Sequence, residues 1–159
     1  MKTAVIYYSF EGNCALVAET IKAALNADLF EIKTAKSKKR TGFLKYVWGG
    51  GQAVMGIKPA ILPLSVDINA YDLVILGTPV WAASPAPAMV SFLSKTKITG
   101  KKLALFCCHA GGKGKALDKF KARLPGNTIA GEIDFFIPAR EEKAVLQQKI
   151  GEWVKTLKA

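Results

Sequence analysis

Five short strand-like runs, residues 4–8, 27–32, 71–77, 103–107 and 128–137, alternate along this chain with segments whose apolar residues recur at helical spacing. Runs this short and mostly free of polar alternation belong to strands buried on both faces, and the segments between them are long enough for crossover helices. The helical spacing is carried by Leu16, Val17, Ile21, Ala24 and Leu25, by Met89, Val90 and Leu93, by Leu117, Phe120 and Leu124, and by Leu146, Ile150, Trp153, Val154 and Leu157. The rhythm predicts an α/β fold with a parallel sheet. No repeat or low-complexity linker interrupts it. At 159 residues, half of them hydrophobic, the chain can bury a substantial core, and a single domain over 1–159 is expected.

The junctions after three of these strands hold the chemistry. Ser9, Phe10, Glu11, Gly12, Asn13 and Cys14 lie between the first strand and a helix expected to start near Ala15. The first amides of a helix have no intrahelical acceptors and carry the positive end of its dipole, so such a junction can seat a phosphate. Ser9 and Asn13 add side-chain donors, and Gly12 has no side chain to obstruct an anion. The same Gly-Asn pair could also do no more than punctuate a turn. Thr78, Pro79, Val80 and Trp81 follow the strand that ends at Gly77, ahead of a helix opening with Pro85 and Pro87. Cys108, His109, Ala110, Gly111 and Gly112 follow the next strand. In an open parallel sheet, strand ends of this kind meet where the strand order reverses, and ligands bind there.

In order and spacing these loops resemble the flavodoxin family, in its short-chain form, over nearly the whole chain. The segment 9–14 is similar to that family's phosphate loop. Gly77 to Trp81 resembles its first isoalloxazine loop, in which an aromatic ring lies against the flavin, and the segment 108–114 holds the place of the second. The resemblance implies a doubly wound five-stranded parallel sheet of order 2-1-3-4-5 with helices on both faces. It implies non-covalent flavin mononucleotide (FMN), with backbone amides from Glu11 to Cys14 on the phosphate, Trp81 on the ring, and electron transfer as the activity. The chain departs from the family at Glu11 and Cys14, where hydroxyl residues are usual. A carboxylate beside a phosphate is repulsive unless it turns outward, so Glu11 is expected to face solvent. Cys14, at a helix N-terminus, is expected to have a lowered thiol pKa and to react faster without ligand than with it. His109, or the segment around Tyr46 and Trp48, is expected to cover the second flavin face.

Other readings are excluded on residues. Residues 73–94 are free of charge and long enough to pass for a membrane span, but Pro79, Pro85 and Pro87 break them into strand, loop and helix. Lys2 followed by a short apolar run and Glu11 does not make a signal peptide. Three cysteines, two of them adjacent, form no disulfide framework, and reduced thiols in the cytoplasm are expected. Cys107 and Cys108, adjacent on a strand, point to opposite faces and cannot share a metal with His109, the sole histidine. The run from Gly111 to Lys115 lacks the Ser/Thr of a Walker loop, and only Gly12 of a dinucleotide fingerprint is present after the first strand.

Residues 33–66 exceed what one crossover helix needs. Phe43, Leu44, Val47, Trp48 and Met55 can form an apolar stripe on a sheet-covering helix, weakened by Gly49-Gly50-Gly51. The stretch 46–52 could instead form a flap over the cofactor edge. The net charge of +11 concerns partners. Lys36, Lys38, Lys39 and Arg40 are clustered, yet no helix-turn-helix, zinc spacing or stacking aromatics accompany them, so nucleic acid is not expected. An acidic redox partner protein or an anionic small-molecule acceptor fits better, and Lys113 and Lys115 are the cations expected nearest the flavin. Two functions share this pocket: an electron carrier between proteins, and an FMN-containing reductase of quinones or similar acceptors that uses a nicotinamide donor.

Overall fold

A computed structural model of the chain describes residues 1–35 and 56–158. The strands are β1 (Thr3–Tyr7), β2 (Asp28–Glu31), β3 (Leu73–Trp81), β4 (Ser84–Pro85), β5 (Lys102–His109) and β6 (Thr128–Phe136). The helices are α1 (Asn13–Leu25), α2 (Pro87–Lys95), α3 (Ala116–Ala122) and α4 (Lys143–Thr156). β2, β1, β3, β5 and β6 lie side by side in that order and all pair in parallel, which is the doubly wound order expected once β4 is set aside.

Strand alternation divides the core into two apolar layers. Ala4, Ile6, Val74, Leu76, Leu103 and Leu105 face one side, where Met89 and Phe92 of α2 and Leu117 and Phe120 of α3 cover them. Val5, Tyr7, Leu73, Ile75, Ala104 and Phe106 face the other, beneath Val17, Ala18 and Ile21 of α1 and Leu146, Ile150 and Trp153 of α4. A pleat of period 2 with apolar residues at every position can be stable only when both faces are covered. Cys107 and Cys108 obey the same alternation and fall in opposite layers. Among the described residues no helix is long and apolar enough to cross a membrane.

The structure corrects the sequence reading after Gly77. β3 does not stop there but continues through Thr78, Pro79 and Val80 to Trp81. It then reverses at Ala82 and Ala83, both in the left-handed region with φ of 50° and 51°, so that Ser84 and Pro85 pair back on Trp81 and Val80. Among the described residues the sheet therefore has six strands rather than five. Pro85 sits on this edge strand, where its missing N–H costs little, and the helix opens at Pro87 instead. Two left-handed alanines were not legible as a turn, because tight hairpins favour Asn and Gly at such positions. Thr78 fixes the hairpin's exit: its Oγ1 accepts from the Ala86 amide at 2.9 Å. α1 begins at Asn13, slightly ahead of the expected start. Residues 36–55 lie outside the described residues, and with them the apolar stripe, the basic cluster and the flap expected there.

Gly77 is the close approach on which the sheet centre depends. The ring of Phe106, opposite it on β5, occupies the space a Cβ would need. Gly77→Ala is expected to cost at least about 2 kcal/mol by overpacking. Urea unfolding reads this as a lowered midpoint, and Phe106→Leu in the same chain should recover part of the loss. An unchanged midpoint for the single variant would refute the close packing.

Candidate functional site

The register brings three carboxyl ends together: Tyr7 lies beside Gly77, and Thr78 and Pro79 lie beside Cys107 and Cys108. The chain leaves β1 for β2 on one side while β3 lies on the other, so a crevice opens between the loops after β1 and β3. It holds a cavity of about 530 Å³. Ser9, Phe10, Glu11, Asn13 and Cys14 form one wall, Pro79 to Ala82 a second, and Cys108 to Ala110 a third. Ile137 and Arg140 close the fourth side. The cavity lies within the usual size range of small-molecule sites.

At one end lies the N-terminus of α1. Gly12 is its N-cap, with φ of 97°, a conformation that disfavours a side chain even though nothing would crowd a Cβ there. The Ser9 hydroxyl accepts from the amides of Gly12 and Ala15, at 3.2 Å each. Ser9 was expected to donate to an anion. Its oxygen instead caps the helix, which leaves its O–H to donate. The amides of Asn13 and Cys14 have no acceptor among the described residues, and these are the groups that would receive a phosphate. Asn13 also serves differently from expectation: its Oδ1 accepts from the Ala139 amide at 3.1 Å, tying the turn after β6 to α1. Glu11 is exposed, as expected.

The other end is aromatic. Trp81 meets Tyr8 edge to face at 6.0 Å and Phe10 at 5.5 Å, so three rings brace one another along the wall formed by the loops after β1 and β3. Thr78, Gly111 and Gly112, expected in the binding set, do not line the cavity, and neither does Gly12, which acts as the N-cap of α1. Thr78 is buried and engaged by Ala86. The reason is the continuation of β3, which turns that side chain inward. Gly112 reaches the site through His109: its amide donates to Nδ1 at 3.1 Å. The proton must then lie on Nε2, which donates to Asp134 Oδ2 at 2.9 Å. His109 is thus the last residue of β5, clamped from both ring nitrogens, and borders the cavity.

Asp134 also receives Lys113 Nζ at 2.7 Å. Burial alone would raise the Asp134 carboxyl, but the Lys113 and His109 hydrogen bonds overrule it and hold its pKa below the ordinary value. The same pair raises Lys113. Lys113, expected as a cation beside the ring, is therefore neutralised by Asp134 and does not border the cavity. Among the described residues no group of three His, Cys, Asp or Glu is placed to hold a metal.

Cys14 overturns its expectation. It is buried, and burial together with a hydrogen bond to and the charge of Cys108 pushes its thiol well above the ordinary value, against the pull of the helix dipole. Burial likewise raises Cys107 to about 12. The sequence placed Cys14 in the first turn of a helix but could not show that its side chain points into the core.

Besides Ala82, in the turn after Trp81, Arg140 and Ile137 are the cavity residues that sequence reasoning missed. They come from the turn after β6, at residues Pro138–Arg140, and no motif marks them. The Ile-Pro step at the end of an apolar run was the one signal of a fixed turn there.

Two outcomes follow from these electrostatics. Iodoacetamide at pH 8, followed by peptide mapping, should leave Cys14 and Cys108 unmodified in the native protein whether or not a ligand is present, and label them on unfolding. Labelling of native Cys14 at the rate of a free thiol would contradict its burial. A carboxylate held below its unfolded pKa stabilises the fold above that value and loses the effect as pH falls through the lowered one. Asp134→Asn should therefore lower the urea midpoint at pH 6 and match the parent near pH 2. The difference should be about 1 kcal/mol or less, since the carboxylate is 33% exposed. A constant difference between the two at both pH values would show a packing effect instead.

Comparisons with known proteins agree with this geometry. A flavoprotein from Lactobacillus acidophilus NCFM, solved in complex with FMN, superposes with a TM-score of 0.75 over 96% of this chain and 98% of its own, at 24% identity. A structure from Bacteroides eggerthii reaches 0.82 at 22% identity over 99% and 98% of the two chains. The two-electron reduced flavodoxin of Megasphaera elsdenii reaches 0.62 at 20% identity, covering 99% of each. No curated protein matches the sequence. A flavodoxin family model matches residues 2–156, and the chain belongs to the flavodoxin family.

Proposed function

We propose that this protein binds FMN in the cavity between the loops after β1, β3 and β5 and carries electrons between redox partners. The observation that supports this most directly is the pair of unpaired amides, Asn13 and Cys14, at the dipole end of a 13-residue helix that opens onto an aromatic-walled cavity. The donor set fits a phosphate, and the apolar wall of Trp81, Phe10 and Val80 fits a planar ring. Bound there, FMN would supply one- and two-electron chemistry, which no side chain of the site can perform by itself.

The chain's own residues would do the rest. The α1 amides and the Ser9 hydroxyl would hold the phosphate, while Glu11 keeps its carboxylate outward. Trp81, braced by Tyr8 and Phe10, would offer a ring face in a fixed orientation without paying the entropy of ordering it on binding. His109, locked by Asp134 and Gly112, would position the segment from Cys108 to Ala110 that lines the cavity. The net charge of +11 favours an acidic protein as the docking partner.

Equilibrium titration of the apoprotein with FMN and with riboflavin tests the reading. FMN should bind more tightly, because only it reaches the α1 amides, and equal affinities would refute the phosphate seat. Trp81→Ala should weaken both ligands by about 1–3 kcal/mol through lost stacking. In steady state the loaded protein should oxidise nicotinamide slowly with a quinone present, and rapid turnover would make it a reductase rather than a carrier.

A further inference from the structure

Arg140 borders the cavity together with Ser9, Glu11 and Asn13, and its guanidinium has no acceptor among the described residues. Its position is built at some expense. Ile137 is left-handed, with φ of 38° and ψ of 64°, a region a β-branched residue strongly disfavours. Such strain persists only where the surroundings hold it, and here three contacts do. The Ile137 amide donates to His109 O at 2.9 Å, Pro138 is buried, and the Ala139 amide donates to Asn13 Oδ1 at 3.1 Å. The last bond joins residue 139 to the first residue of α1, so the next residue, Arg140, is delivered beside the amides that lack acceptors.

The chemistry of the group points the same way. A phosphate seated on the α1 amides carries negative charge, and a guanidinium on the same cavity wall meets it with a planar fork that suits two phosphate oxygens at once.

We propose that Arg140 is a phosphate-binding residue for FMN, acting with the Asn13 and Cys14 amides. The proposal rests on the FMN reading above. It assigns to the turn after β6 a part in cofactor selection, so that the seat is assembled from both ends of the chain.

The experiment is a fluorescence titration of apoprotein with FMN and with riboflavin, for the parent, Arg140→Gln and Arg140→Lys. Arg140→Gln should weaken FMN about tenfold, as expected for a charge-assisted hydrogen bond at an open site, and leave riboflavin unchanged. Arg140→Lys should recover part of the loss, since it keeps the charge without the fork. The defect should shrink as salt is raised. Unchanged FMN affinity in Arg140→Gln would overturn the proposal, and so would an equal loss for both ligands, which would place the side chain on the ring. A parent that fails to distinguish FMN from riboflavin would instead remove the phosphate seat itself, an outcome the variants cannot mimic.

Discussion

Burial of the central strands on both faces is the constraint from which the rest follows. β1, β3 and β5 have apolar residues above and below the sheet, with Gly77 and Phe106 packed without space for another carbon between them. A polar group housed in those layers without a partner is costly, so hydrogen-bonding groups free to meet a ligand collect at the strand ends. The reversal of strand order at β1 and β3 then holds two carboxyl-end loops apart and leaves a crevice between them.

Within that crevice each group serves two purposes. The Ser9 oxygen caps α1 at Gly12 and Ala15, which holds the loop in shape while leaving the Asn13 and Cys14 amides unengaged. Asn13 gives its amide to the cavity and its carbonyl oxygen to Ala139. His109 spends both ring nitrogens on keeping a loop in place, with Asp134 shared between it and Lys113. A site preorganised by its own hydrogen bonds loses less entropy when a ligand arrives.

The electrostatics of the site differ from what residue types alone convey. A cysteine at a helix N-terminus is ordinarily activated, yet burial beside Cys108 outweighs the dipole at Cys14, because desolvation of a thiolate is a larger effect than a half charge in the first turn. Lys113 lies in the right loop but is paired off by Asp134, whereas Arg140, from a loop without a motif, faces the cavity. Net charge counts the cations but says nothing of which remain available.

The alternation of strand-like runs and helical spacing by itself determined the fold class, the order of elements and the loop after β1, since period 2 and period 3.6 are local properties and a glycine at φ of 97° needs no distant contact to be anticipated. The inward face of α4 was legible for the same reason, since all five residues expected there and just after it are buried, whereas Leu16 and Ala24 of the spacing read on α1 are exposed. What the tertiary structure alone decided is everything that depends on pairing across the chain. The extension of β3 into a hairpin needed Ser84 and Pro85 to return to its edge through two left-handed alanines. The burial of Cys14 needed Cys108, and the placing of Arg140 needed a bond between residues 126 positions apart. Contacts of that separation leave no period in the sequence, because the residues that make them are chosen by the geometry of a finished sheet.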